Sequence, residues 1–107
     1  MIKKKNLSLG TVMVLHALAR ECVYGFDIME ETGLTSGTIY PALDRLQSLG
    51  FADSEWEDAR IAHREKRPPR RYFRITPEGA EVLSAAMERH RSLAAVDLKP
   101  YLRPRTT

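Results

Sequence analysis

Apolar residues recur at helical spacing in two short segments near the start of the chain. Residues 8–20 are predicted to form a first helix that begins at a serine, a favourable N-cap, and that is apolar on several sides. Residues 25–31 are predicted to form a shorter second helix with Phe26 and either Met29 or Ile28 turned inward. Gly33 suits the left-handed conformation that ends many helices. The first third of the chain is therefore predicted to be two helices joined by a short connection.

A third helix is predicted over residues 36–49, where apolar and polar residues separate most clearly. At about 100° per residue one side is apolar, and it is formed by Ile39, Ala42, Leu43, Leu46 and Leu49. The opposite side centres on Gly37, Pro41, Asp44 and Ser48 and is flanked by Thr38, Tyr40 and Arg45. Because Pro41 lies beyond the first turn, it removes a backbone donor, and we expect a tight or bent N-terminal turn.

The pattern changes to strand-like alternation after Gly50. Residues 51–57 and 70–75 are predicted as two antiparallel strands, and the polar segment 58–69 as a loop at the tip of the hairpin. A last helix is predicted from Thr76, an N-cap followed by proline, to about residue 98. The remaining residues are expected to form a loose basic tail.

Charge is distributed unevenly along the chain. The 107 residues carry a formal net charge of +3 and are expected to form one domain with a small core. Residues 60–74 contain seven arginines or lysines and one glutamate, so this segment carries +6 and the rest of the chain −3. A basic segment on a mildly acidic body predicts a surface directed at an anionic partner.

Several classes of protein are disfavoured by what the sequence contains. The single cysteine, Cys22, excludes an internal disulfide and a cysteine-based zinc site within one chain, and we expect a cytoplasmic location. The apolar run near the N-terminus is short and interrupted, so no signal peptide is predicted, and no stretch approaches the roughly 20 residues that span a membrane. There is no glycine-rich phosphate loop, metal-ligand signature or paired nucleophile and base. We therefore expect no catalysis, cofactor or metal.

The predicted order of elements is that of a winged helix-turn-helix. The fold class is thus mainly α with a small β-hairpin, to which a C-terminal dimerisation helix is added. From about residue 9 to 88 the chain also resembles the PadR-like family of transcriptional regulators. The matching motifs are residues 24–28 (YGFDI), 36–41 (SGTIYP), 45–46, 49–51, Trp56, 67–73 (RPPRRYF) and 76–79 (TPEG). Because only one helix follows the wing, the resemblance implies the short form of the family, without a large effector domain.

Double-stranded DNA is the partner that this order of elements predicts. The N-terminal half of the third helix is expected to enter the major groove, with contacts from Ser36, Thr38, Tyr40 and Arg45. The wing is expected to grip the backbone or a narrow minor groove through Arg64, Lys66, Arg67, Arg70 and Arg71. Further phosphate contacts are predicted from Lys3, Lys4, Lys5 and Tyr24. Tyr40 alternatively belongs to the core, and Trp56, Tyr72 and Phe73 are assigned to core or interface.

The long last helix is predicted to pair with a second copy of the chain. Its apolar stripe outruns a small core and includes the expected interface residues Leu83, Met87, His90, Leu93 and Ala94. Residues 1–79 would then bind DNA and residues 80–107 would dimerise, and we expect a homodimeric repressor that binds a near-palindromic operator. The alternatives are a winged-helix adaptor that docks a different protein through this stripe, or an RNA binder. The sequence identifies no small-molecule effector, although an effector pocket beside Trp56 between subunits is an alternative role for that residue.

Overall fold

A computed structural model describes residues 7–21 and 23–102, without the side chain of Ser92. Along the chain lie α1 (Leu9–Ala19), α2 (Gly25–Thr32), α3 (Ser36–Ser48), β1 (Ala52–Trp56), α4 (Ala59–Arg64), β2 (Arg71–Ile75), α5 (Pro77–Ala94) and a 3-10 turn (Lys99–Tyr101). The predicted fold class, mostly helical with a two-stranded antiparallel hairpin, is confirmed.

Local capping sets the ends of the helices much as the sequence predicts. The Ser8 hydroxyl accepts a hydrogen bond from the Thr11 amide at the start of α1. Gly33 ends α2 with a φ of 72°, in the left-handed region. Thr76 caps α5 by accepting from the Gly79 amide at 3.0 Å, and its hydroxyl donates to the Gly50 carbonyl at 2.7 Å. This second bond ties the start of α5 to Gly50, the second residue after α3.

The core lies where the first three helices meet the hairpin. Its largest fully buried side chains are Leu15, Ile28, Ile39, Leu43, Leu46 and Phe73. α3 contributes its apolar side as predicted and runs through Pro41 without a break. Ile28, one of the predicted inward residues of α2, is fully buried, whereas the prediction for Phe26 was wrong because its side chain is 60% exposed. α2 is only eight residues long, so the side that reaches the core is decided by its packing on α1 and α3.

The hairpin has one face toward the helices and one toward solvent. Ser54 pairs with Phe73 and Trp56 with Arg71, and these residues share the inner face. Asp53 and Arg74 pair on the outer face. On the free edge of β2, the Phe73 amide donates a further backbone hydrogen bond to the Val23 carbonyl at 2.7 Å. The wing is thus fixed to the connection between α1 and α2.

The tip of the wing is folded, whereas the sequence predicted a loop over residues 58–69. The short helix α4 occupies half of this segment and begins at Asp58, whose carboxylate accepts from the Arg60 amide at 2.8 Å. Ala62 is buried, so the tip has a small apolar contact of its own. The helix was missed because six residues are too few to show helical periodicity.

α5 leaves the core as it proceeds. Leu83 and Ala86 are buried against the other helices, while Met87, Leu93 and Ala94 are exposed. The helix ends at Ala94, earlier than the predicted residue 98. A Cα radius of gyration of 17.4 Å exceeds the roughly 13 Å of a compact chain of this length, in keeping with a protruding helix.

Candidate nucleic-acid interface

The N-terminal half of α3 presents a continuous exposed surface. Ser36, Gly37, Thr38 and Pro41 are all exposed, and so are Asp44 and Arg45 one turn further on. The apolar side of the same helix holds this surface in place because Ile39, Leu43 and Leu46 are fully buried. The Thr35 and Thr38 hydroxyls lie 3.5 Å apart, too far for a strong hydrogen bond. Thr38 therefore keeps hydrogen-bonding capacity for a ligand.

Tyr40 lies at the border between this surface and the wing. It is 48% exposed, and its phenol ring lies directly against Gly25, the first residue of α2. A Cβ atom at position 25 would collide with the ring, so the glycine permits this close approach. Tyr40 is thus not a core residue, and α2 fixes where its hydroxyl stands.

An open groove of about 700 Å³ lies between the wing and the start of α2, with Tyr40 of α3 at its border. We call it the helix–wing groove. Its lining consists of Tyr24, Gly25, Phe26, Tyr40, Trp56, Arg67, Pro68, Pro69, Arg70, Arg71 and Phe73. The lining includes three arginines and no carboxylate. Among the α3 residues predicted to contact DNA, Tyr40 therefore borders the same space as the basic part of the wing, whereas Ser36, Thr38 and Arg45 do not line it.

Arg67, one of the predicted DNA contacts, is occupied inside the wing. Its guanidinium donates to both carboxylate oxygens of Glu57, at 2.6 and 2.8 Å, and a third bond reaches Glu65. The Arg67 side chain is 20% exposed and that of Glu57 only 5%. The Arg67 hydrogen bonds, aided by the Arg70 amide and the Tyr72 hydroxyl, lower the pKa of Glu57 to about 2. Arg67 thus closes the wing tip and contributes little free charge.

Arg71 connects the wing to α3. It donates to the Ser54 hydroxyl and to the Gln47 side-chain oxygen, each at 3.0 Å from Nη2, and Ser54 in turn donates to Gln47. The guanidinium also lies over Phe73, 5.1 Å from the ring centroid. None of these partners is charged, so Arg71 keeps its positive charge. Gln47, Ser54 and the role of Arg71 were not predicted, because they depend on the packing of the hairpin on α3.

The other wing cations divide into paired and unpaired groups. Arg60 and Arg74 form ion pairs with Asp58 and Glu55. Arg70 lies 4.4 Å from the ring centroid of Tyr24, which itself makes an edge-on contact with Tyr72. Within the described residues, no ion pair is found for Arg64 or Lys66, both of which are exposed, or for Arg70.

The wing is less basic than its second half suggests. Residues 52–75 contain seven basic and five acidic side chains, a net charge of +2 against the +6 of residues 60–74 alone. Most of the acidic residues lie on or just after β1, opposite the basic β2. Anion binding by the wing therefore depends on the few cations that have no ion-pair partner. They lie near the groove and the tip and are Arg64, Lys66, Arg70 and Arg71.

A second apolar surface lies between α1 and α5. Met87 and His90 of α5, together with Leu9, Val12, Met13 and His16 of α1, line a shallow cavity of about 280 Å³. Met87, Leu93 and Ala94, three of the predicted interface residues, are exposed, and His90 is half-buried. Leu83 differs from the prediction because it is buried in the core of its own chain and is not available to a partner.

The remaining candidates add no further chemistry. The predicted phosphate contacts Lys3, Lys4 and Lys5, like Cys22, lie outside the described residues. Over residues 7–21 and 23–102, no cluster of three side chains suited to a metal ion is found. No helix in the part of the chain that the structure describes is long and apolar enough to cross a membrane.

Comparisons with known proteins identify the family and the fold. The model of the transcriptional regulator PadR-like family matches residues 14–85, two thirds of the chain. The fold is similar to that of a PadR family transcription regulator from Clostridium difficile R20291, with a TM-score of 0.71 and 22% identity over 90% of this chain and 100% of that chain. A PadR family regulator from Eggerthella lenta DSM 2243 is 26% identical, with a TM-score of 0.62 over 78% of this chain and 76% of that chain.

The fold is also similar to that of a regulator described as a member of another family. A MarR family transcriptional regulator from Silicibacter pomeroyi is 21% identical, with a TM-score of 0.66, over 87% of this chain and 58% of that chain. No curated protein sequence matches the chain. The family and these structural neighbours are transcription regulators and not enzymes.

Proposed function

The chain belongs to the PadR-like family of transcriptional regulators and is a DNA-binding transcription regulator, and from this premise we propose that it is a homodimeric repressor of a near-palindromic operator. The observation that carries the proposal is the shared groove. Tyr40 of α3 and the wing arginines Arg70 and Arg71 line the same open groove, so one duplex would contact both elements. A repressor needs only to occupy its site, which suits a small protein that is built around this surface.

The proposed division of contacts follows from exposure and pairing. Ser36, Thr38, Tyr40 and Arg45 would lie in the major groove, where hydroxyl and guanidinium groups reach base edges and phosphates. Arg64, Lys66, Arg70 and Arg71 would hold the backbone beside it, with Tyr24 supporting Arg70. Arg67 is left out of this set because Glu57 neutralises it. Asp44 would stay clear of the phosphates.

The proposal of a homodimer rests on the exposed end of α5. Met87, His90, Leu93 and Ala94 form the stripe on which a second α5 would pack about a two-fold axis, together with the adjoining part of α1. Residues 1–79 would then carry DNA binding and residues 80–107 dimerisation. Two α3 helices would face successive major grooves about 34 Å apart.

Selection of bound sequences from a random duplex pool tests the function. We expect a near-palindromic site whose half-sites are separated by about 10 bp, because both subunits must bind one face of the duplex. A reporter gene placed behind that site should be transcribed less when the protein is present. Enrichment of a single half-site would contradict the homodimer, and increased transcription would contradict repression. The absence of any enriched sequence would favour an adaptor that docks another protein through α5.

A further inference from the structure

Trp56 is exposed on the side of the hairpin that faces the helices. Strand alternation places it on the inner face with Ser54 and Phe73. Phe73 is buried and Ser54 contacts α3, yet Trp56 is 66% exposed. A tryptophan carries a large apolar surface, so leaving it uncovered beside a groove indicates a binding surface.

The opposite wall of the groove is formed by Tyr24 and the first two residues of α2, Gly25 and Phe26, with Tyr40 of α3 beside them. Tyr40 and Gln47 are seven residues apart and so lie on the same side of α3. At Gln47 the wing touches α3 through Ser54 and Arg71. Toward Tyr40 the two elements separate, and Trp56 and Tyr40 line the resulting opening. The wing is therefore held against α3 at Gln47, and the groove lies beyond this contact, between the wing and the start of α2, with Tyr40 at its border.

The charges around the groove favour a polyanion. Its lining holds three arginines and no acidic side chain, and only Arg67 is paired with a carboxylate there. The Arg71 guanidinium lies 5.9 Å from the centroid of the Trp56 ring, so a flat apolar ring and a positive charge without an ion-pair partner are adjacent. A nucleic-acid strand matches this combination, because the apolar faces of its sugars alternate with negatively charged phosphates.

We propose that the helix–wing groove holds one sugar–phosphate strand of the bound duplex and that Trp56 contacts it directly. This inference rests on the proposed function. In B-DNA a single backbone separates the major groove, about 12 Å wide, from the adjacent minor groove. If α3 occupies the major groove and the wing lies at the minor groove, that backbone passes between them. Trp56 would pack on a deoxyribose while Arg70 and Arg71 contact the flanking phosphates.

Trp56 is the only tryptophan of the chain, so its fluorescence reports on the groove alone. The probe is a random-sequence duplex at low salt, because backbone contacts do not depend on sequence. Duplex binding is followed separately by the anisotropy of a dye attached to the DNA. We expect the quenching of Trp56 by acrylamide to be strong in the free protein and to fall severalfold at saturating duplex.

Substitutions separate a contact from a nearby bystander. W56A should weaken duplex binding roughly tenfold, because an apolar contact with the deoxyribose is lost, without changing the salt dependence, because no phosphate contact is removed. W56F keeps a ring and should retain most of the affinity. Y101A, which removes an exposed aromatic side chain outside the groove, is the matched control and should bind like the unmodified protein. Circular dichroism verifies that each variant is folded.

The possible results lead to different conclusions. Binding by anisotropy with unchanged acrylamide quenching of Trp56 would overturn this inference and leave the proposed function intact. Trp56 already shielded in the free protein would also overturn it, since a second copy of the chain would then cover the groove. Absence of duplex binding by the unmodified protein would instead count against the proposed function. The quenching measurement needs no substitution, so it decides the question even if W56A does not fold.

Discussion

Arg67 and Glu57 form a bidentate ion pair across the base of the wing tip, with N–O distances of 2.6 and 2.8 Å. The Glu57 carboxylate also accepts from the Arg70 amide and the Tyr72 hydroxyl, at 3.2 and 3.1 Å. One carboxylate thus joins the end of β1 to the beginning of β2. An arginine in the middle of a basic segment serves the shape of the wing, while its neighbours remain available to an anion.

Stability should depend on pH through this pair. The pKa of Glu57 is lowered from 4.5 to about 2 in the folded protein, chiefly by its hydrogen bond from Arg67. The unfolded chain therefore takes up the proton first, so the contribution is present above pH 4.5 and is lost as the pH falls toward about 2. We expect E57Q to lower the thermal midpoint most at neutral pH. The difference from the unmodified protein should shrink over that acidic range.

The control for this prediction is E88Q. Glu88 forms an exposed ion pair with Arg91 on α5, and such pairs contribute about 0–1 kcal/mol. Its midpoint should follow that of the unmodified protein at every pH. A gap between E57Q and the unmodified protein that stays constant down to strongly acidic pH would show that the charge of Glu57 does not stabilise the wing.

The unpaired tip cations should determine part of the salt dependence of DNA binding. Each phosphate contact contributes about 0.9 to the slope of log affinity against log salt. Loss of both Arg64 and Lys66 in R64A/K66A should therefore lower the slope by about 2. Titration of a labelled duplex at several salt concentrations measures it. The double variant R74A/R91A removes two exposed cations that are paired with acidic residues and should change the slope less. Equal slopes for R64A/K66A and the unmodified protein would exclude the tip from the interface.

Thr38 should discriminate between DNA sequences. Its exposed side chain stands in the first half of α3, and its hydroxyl makes only a long contact to Thr35. T38V keeps the shape and removes the hydroxyl, so we expect about fivefold weaker binding to the selected operator, since one neutral hydrogen bond contributes about 1 kcal/mol. Binding to random duplex should change little, and T38S should behave like the unmodified protein. If T38V lost the same affinity for the operator and for random duplex, Thr38 would contact the DNA backbone and not a base.

The dimer should depend on the exposed end of α5. Met87 and Leu93 are both exposed, so M87E/L93E should leave the fold intact and place charges where a second helix would pack. Sedimentation velocity should then show a monomer. The control E81K changes an exposed residue on the opposite side of α5 and should remain dimeric. A dimer that survives M87E/L93E would move the interface away from this stripe.

Sequence patterns were reliable wherever neighbours along the chain decide the outcome. The caps at Ser8, Gly33 and Thr76 were predicted correctly, as was the apolar side of α3. Each of these depends on contacts within a few residues or on helical periodicity. The second half of the wing was harder. The count of basic residues over 60–74 left out the acidic strand with which they pair.

The exposed aromatic residues show where such patterns stop. Phe26 was predicted to face inward and Trp56 was assigned to core or interface, since large apolar side chains are usually buried. Both line the open groove instead. Whether a side chain is covered depends on which element packs over it, and this cannot be inferred from its own segment.

The amino-acid sequence by itself determined the order of helices and strands, the family and the exposed polar half of α3. The order of elements and the exposed half of α3 depend on short-range hydrogen bonds and on periodicity, and the family is shown by motifs; all of these can be recognised from residues that are close in the sequence. Only the tertiary structure decided which arginines are free. The register of the hairpin pairs Arg67 with Glu57, 10 residues away, which neutralises it, whereas the packing on α3 brings Arg71 to the uncharged Gln47, 24 residues away, and leaves its charge free. Charge lies in the sequence, but its neutralisation depends on partners that folding brings within hydrogen-bonding distance.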